Sequence, residues 1–142
     1  MIVADTNVIL RGIRSRSSAS GFVLRGMLDA SIAFALTPAM VLEYEDVLKR
    51  PGIVPGVSSE DLDVILDALC FRARRTTPFF RFRPVLDDPK DDLVIECAVT
   101  AGAYAIVTHD RHFSHPSVAA FGLIALTAQD FVIRHRSERS SP

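Results

Sequence analysis

Two cysteines in 142 residues, a formal net charge of -1 and no apolar run longer than Val118 to Leu126 remove several classes of protein from consideration. The thiols of Cys70 and Cys97 sit in apolar helical patterns, with no CxxC or Cys/His spacing nearby, which suits small buried hydrophobes and neither a disulfide framework nor zinc. Near-neutral charge excludes wholesale basicity, so any contact with nucleic acid must come from local patches. The apolar run is too short for the roughly 20 residues that span a bilayer, and a strand starting at Ile2 leaves no room for a signal peptide. A cytoplasmic protein with no membrane contact is the expectation. No internal repeat and no composition break divides the chain, which reads as one domain over residues 1–135 and a polar, flexible tail over 136–142.

What is present is ample apolar material, 49% of residues, against 23% charged, enough to bury a core at this length. The charges are unevenly spread. Residues 1–86 carry 11 Lys and Arg against 9 Asp and Glu, and residues 87–142 carry 5 against 8. Short β-rich apolar runs alternate with helical patterns: a strand at Ile2–Ala4, a basic serine-rich loop over Arg11–Ser20, and a helix from about Gly21 to Ala30. There follow a strand at Ile32–Leu36, a helix opened by Thr37-Pro38, and a helix capped by Ser58 or Ser59. The basic stretch Arg72–Arg83, interleaved with Phe79, Phe80 and Phe82, is expected to turn at Pro78 and add a short strand. Then come a helix from Asp87-Asp88-Pro89 to Gly102, a strand at Ala105–Val107, a loop over His112–Pro116, a strand at Leu123–Leu126 and a helix over Thr127–His135. This order predicts an α/β fold, a mostly parallel central sheet flanked by helices in three layers.

In such a sheet ligands bind beyond the carboxyl ends of the strands, and acids stand at those ends. Asp5 closes the first strand and Asp110 follows Ala105–Thr108; Glu43 interrupts the apolar row Met40, Tyr44, Val47; Asp87, Asp88, Asp91 and Asp92 crowd a helix start. Each has a structural alternative: an Asx turn at Asp5, a buried hydrogen-bonded Glu43, and helix capping in the aspartate run. Four acids exceed what capping needs, and periodicity does not choose between Asp91 and Asp92 as the one facing inward. Carboxylates gathered together raise one another's pKa values unless a hard cation meets them, and oxygen-only ligands point to Mg²⁺ or Mn²⁺.

At these residues the chain resembles the PIN-domain ribonucleases, and among them the VapC-type toxins of bacterial toxin-antitoxin pairs. The likeness is carried by Asp5-Thr6-Asn7-Val8, by Thr37-Pro38 to Arg50-Pro51 with Glu43, by Asp88-Pro89-Lys90-Asp91-Asp92-Leu93-Val94-Ile95-Glu96-Cys97-Ala98, and by Gly102 to Asp110, in that order and spacing. The resemblance implies a Rossmann-like PIN domain with strand one at the centre, and an acidic set of Asp5, Glu43, Asp92 and Asp110 supported by Asn7 and Thr108. Asp91 takes the place of Asp92 if the latter faces elsewhere. It further implies cleavage of single-stranded or structured RNA with Mg²⁺ or Mn²⁺, a cognate antitoxin protein and, as is common in such proteins, a homodimer. The chain departs from the pattern at His112, where the family often has a further acid, so one metal ion or two remains open.

Arg11, Arg14 and Arg16 are expected to meet RNA phosphates, and Phe79–Phe82 with Arg81 and Arg83 either stack on bases or belong to the core. His109, His112 and His115 fit ordinary loop positions as well as RNA contacts. Two rivals stand beside the nuclease: a catalytically silent PIN-fold interaction module, and a haloacid-dehalogenase-like phosphatase, which would need an acid where this chain has Asn7.

Overall fold

The computed structural model describes residues 1–78 and 89–140, apart from the side chains of Pro89 and His112. The Phe79–Phe82 cluster, Arg81, Arg83, Asp87 and Asp88 lie outside the described residues.

The inner strands of the sheet are short apolar runs buried on both faces, as parallel strands between two helical layers require, while the edge strands are more exposed. β1 (Ile2–Ala4) and β4 (Ala105–Val107) are fully buried and pair in parallel with Val3 opposite Ile106. β5 (Ile124–Leu126) adds to the outer side of β4 with Ala125 opposite Ile106. On the other side β2 (Ala35–Leu36) pairs with β3 (Arg74–Arg75), and a parallel bridge from Ile2 to Phe34 joins that pair to β1. The strands therefore follow the order β3-β2-β1-β4-β5, all parallel. Chain order reverses at β1, and the crevice beyond its carboxyl end is where such sheets bind ligands.

Helices start where the sequence offers caps. Asp5 caps α1 (Thr6–Arg14), Ser18 caps α2 (Ala19–Leu28), Thr37 with Pro38 opens α3 (Pro38–Leu48), and Ser58 caps α4 (Ser59–Arg72). α5 (Pro89–Ala101) stops at Gly102, whose φ of +70° suits a residue without Cβ. α6 (Pro116–Ala120) and α7 (Ala128–Ser140) complete the set. Tyr44, Phe113, Ile9, Met27, Leu69 and Ile95 are among the fully buried side chains that hold these layers together.

Several local expectations are corrected. Arg11–Ser20 is not one loop, because α1 continues through Arg14, with Val8 and Ile9 buried and Arg11 and Arg14 in its last turn, where cations favour the helix dipole. α1 and α2 can turn so tightly because Gly21 lies against the chain at Ser15 and Arg16; a Cβ there would come within 2.6 Å of Ser15 O. His112–Pro116 is likewise structured, by a 3-10 turn over Arg111–Ser114 and by α6 beginning at Pro116. The last helix runs on through Ser140, five residues beyond the predicted end at His135, supported by an Arg134–Glu138 pair at 3.6 Å and by Ser140 Oγ donating to Arg136 O. Among the described residues no helix is long and apolar enough to cross a membrane.

Candidate active site

Both carboxylate oxygens of Asp5 are engaged, one of them in the capping role that the sequence offered as its structural alternative. Its Oδ1 accepts the Thr6 N–H at 2.8 Å, capping α1, while its Oδ2 accepts the Thr108 hydroxyl at 2.7 Å. Its own N–H donates to Val107 O at 2.9 Å, tying the ends of β1 and β4 together. Thr108 is 4% exposed and receives the Asp110 N–H on the same oxygen, at 2.9 Å. Asn7 Oδ1 accepts the His109 N–H at 3.2 Å. The turn after β1 and the turn after β4 are thus joined by two side-chain bonds and one backbone bond.

The Asp5 carboxyl is held above the ordinary carboxylate range. Burial is the largest cause; the bonds from Thr108 and Thr6 oppose it, and the negative charges of Asp91 and Asp110 add to it. Asp91 is therefore the acid of the helix start that faces Asp5. It is 6% exposed, whereas Asp92 is only partly buried. Neighbouring residues on a helix point about 100 degrees apart, so the two acids do not share one environment.

Glu43 stands on α3, whose next residue, Tyr44, is wholly buried and donates its hydroxyl to Ala4 O at the end of β1. That bond brings the α3 carboxylate to the same end of the sheet. Glu43 is paired with Lys90 Nζ at 3.4 Å, with its side chain 17% exposed, so it meets the first turn of α5 through a lysine.

The basic residues divide. Arg11 lines a cavity together with His109, next to the acids. Arg14 instead donates from Nε to Ile53 O at 2.8 Å, which engages it away from the acids, whereas Arg16 is exposed and only its backbone carbonyl is engaged, by Arg25. The sequence reading missed a contact that no local pattern announces: Ser20 Oγ and His109 Nε2 are hydrogen-bonded at 2.8 Å across 89 residues. Ser20 is 1% exposed, and burial, with Arg11 close by, pushes the His109 imidazole below its ordinary pKa. A larger cavity of about 550 Å³, between α3 and α4, is lined by residues such as Leu36, Val41, Leu42 and Cys70 and has no carboxylate.

The donor set is oxygen only and mutually repelling around a desolvated aspartate, which is the chemistry a hard divalent ion offsets. Among the described residues no three His, Cys, Asp or Glu side chains are gathered tightly enough to hold an ion as they stand. Asp5, Asp91 and Asp110 are coupled through space and would have to draw together around a cation. The cysteines are free; Cys97 is fully buried and its thiol is pushed up to about 12 by burial, which removes it as a ligand or nucleophile.

A family model described as PIN domain matches residues 1–112, a span that takes in Asp5, Glu43, Asp91, Asp92 and Asp110. No curated protein and no solved structure gives a match to this chain.

Proposed function

Because the chain belongs to the PIN-domain family, whose members are generally nucleases, we propose that it is a metal-dependent endoribonuclease acting on single-stranded RNA. The observation that carries this reading is the gathering of acids beyond the carboxyl end of the central strand: Asp5 bonded to Thr108, which also holds the Asp110 turn, with the charge of the buried Asp91 felt at Asp5. Asp5, Asp91 and Asp110, with Glu43 at the margin, are the residues that would hold Mg²⁺ or Mn²⁺. When bound, such an ion lowers the pKa of water and offsets charge on a phosphate.

The protein's own part is positioning. Thr108 holds Asp5 Oδ2, the Thr6 N–H holds Oδ1, and the bonds from Asp110 and His109 set the loop after β4 against α1. With both oxygens fixed, Asp5 cannot turn away from Asp91, so little order is lost when substrate and cation arrive. Asn7 is engaged by the His109 N–H, which leaves the phosphatase alternative without its second acid.

We further propose the toxin role, with an antitoxin protein whose basic segment occupies the acid cleft. Lys90 beside Glu43 illustrates the chemistry such a segment would use, an ammonium or guanidinium against these carboxylates. The same pair favours a second reading, a silent module that binds basic partners without cutting RNA. Incubation of single-stranded RNA with Mn²⁺ separates them: hydrolysis that disappears in Asp5→Asn and Asp110→Asn supports the nuclease, and no hydrolysis by the wild type supports the module. A small adjacent reading frame encoding a DNA-binding fold with a basic tail would support the toxin role.

A further inference from the structure

On the β4–β5 side of β1, opposite the side from which α3 brings Glu43, lies a polar cavity of about 410 Å³ lined by Arg11, Ser18, Ser20, His109, Thr127 and Gln129. Its size falls in the range of small-ligand sites, roughly 300–1,000 Å³. Its walls are braced. Ser18 Oγ caps α2 at Gly21 and donates to Ser15 O, Thr127 Oγ1 accepts the Asp130 N–H at the start of α7, and Ser20 holds the His109 ring. Two groups are left to face a ligand. Among the described residues, the Arg11 guanidinium and the Gln129 amide, both exposed, have no hydrogen bond or ion pair of their own.

The same loop carries this cavity and the acid cleft: His109 lies between Thr108, which holds Asp5, and Asp110. A ligand in the cavity is therefore adjacent to anything held by the acids. An unpaired guanidinium suits a phosphate, and an amide offering both a donor and an acceptor, beside hydroxyls, suits the edge of a base.

We infer that this cavity is a nucleotide subsite flanking the acid cleft, with Arg11 on a phosphate and Gln129 on the edge of one base. The inference rests on the nuclease reading of the acids and adds to it a place where sequence preference arises. Ser20 is a positioning residue that fixes the His109 ring as one wall.

The test is titration of the protein, in EDTA so that nothing is cut, with labelled short homopolymeric oligoribonucleotides of the four bases. Wild type is expected to prefer one of them. Gln129→Ala reduces that preference by at least about fivefold. Arg11→Ala weakens all four alike and lowers the slope of log affinity against log salt by about one. Both positions are exposed, so folding is not at stake. Binding of all four oligonucleotides by both variants just as by wild type overturns the subsite. A free nucleoside monophosphate separates the two sources of this chemistry: a strand subsite holds the oligonucleotide far more tightly, and a monomer that displaces it at equal concentration overturns the assignment. Hydrolysis that survives Asp5→Asn removes the nuclease reading and leaves the binding result standing. Unaltered cutting rate and cut position in both variants removes the subsite and leaves the nuclease.

Discussion

Thr108 donates its hydroxyl to Asp5 Oδ2 at 2.7 Å, joining residues 103 positions apart in the chain. Because the same oxygen accepts the Asp110 N–H, one side chain ties the backbone of the Asp110 turn to the Asp5 carboxylate. Thr108→Val keeps the shape and removes both bonds. It is expected to cost about 1–3 kcal/mol in urea unfolding, and Thr108→Ser is expected to recover most of the loss. Equal stability of the Val and Ser variants would show that the hydroxyl does not hold the loop.

The buried Asp5 carboxylate is held at a cost to the fold. Its folded pKa lies above the unfolded value of 3.8, so the protonated form is favoured by folding. The stability it contributes is complete below that unfolded value and is lost as pH rises through the raised folded value. Asp5→Asn, which preserves an N-cap acceptor for Thr6, is expected to raise the melting temperature at neutral pH in EDTA and to leave it unchanged near pH 3. Destabilisation at neutral pH would mean that the charge is already compensated.

Asp91 and Asp92 should behave differently. Asp91→Asn is expected to lower RNA hydrolysis by roughly a hundredfold or more, whereas Asp92→Asn remains within a few-fold of wild type. Single-turnover assays at saturating Mn²⁺ measure this. The reverse order would return the inward place to Asp92.

Gly21 is the tightest approach in the α1–α2 corner, with Ser15 O at 2.6 Å from where a Cβ would be. Gly21→Ala is expected to cost about 3 kcal/mol, at the upper end of overpacking effects, read from the urea midpoint. Gly52, with open space around its Cβ position, is the contrast; its φ of +73° makes Gly52→Ala cost only about 1 kcal/mol.

Much of the fold was legible because its cues are local. Thr37-Pro38 announces α3, Ser58 announces α4, Gly102 ends α5, and the apolar runs at Ile2–Ala4 and Ala105–Val107 can be little else than buried strands. α1 was hidden because its first residues, Thr6 and Asn7, are poor helix formers; Asp5 as cap and the burial of Val8 and Ile9 override that propensity. Asp5 and Asp110 were legible by their place after strands, and so was the burial of Cys97.

By itself the sequence determined which segments alternate, where they stop, and that carboxylates follow two of the strands, since periodicity and capping act over a few residues. Tertiary structure alone decided that Asp91 is buried more deeply than Asp92, that Glu43 meets Lys90, and that Arg11 joins His109 and Ser20 while Arg14 bonds to Ile53. Those outcomes depend on how helices rotate and dock against the sheet, and that rotation is set by the sum of buried contacts from the whole chain, which no short window of residues contains.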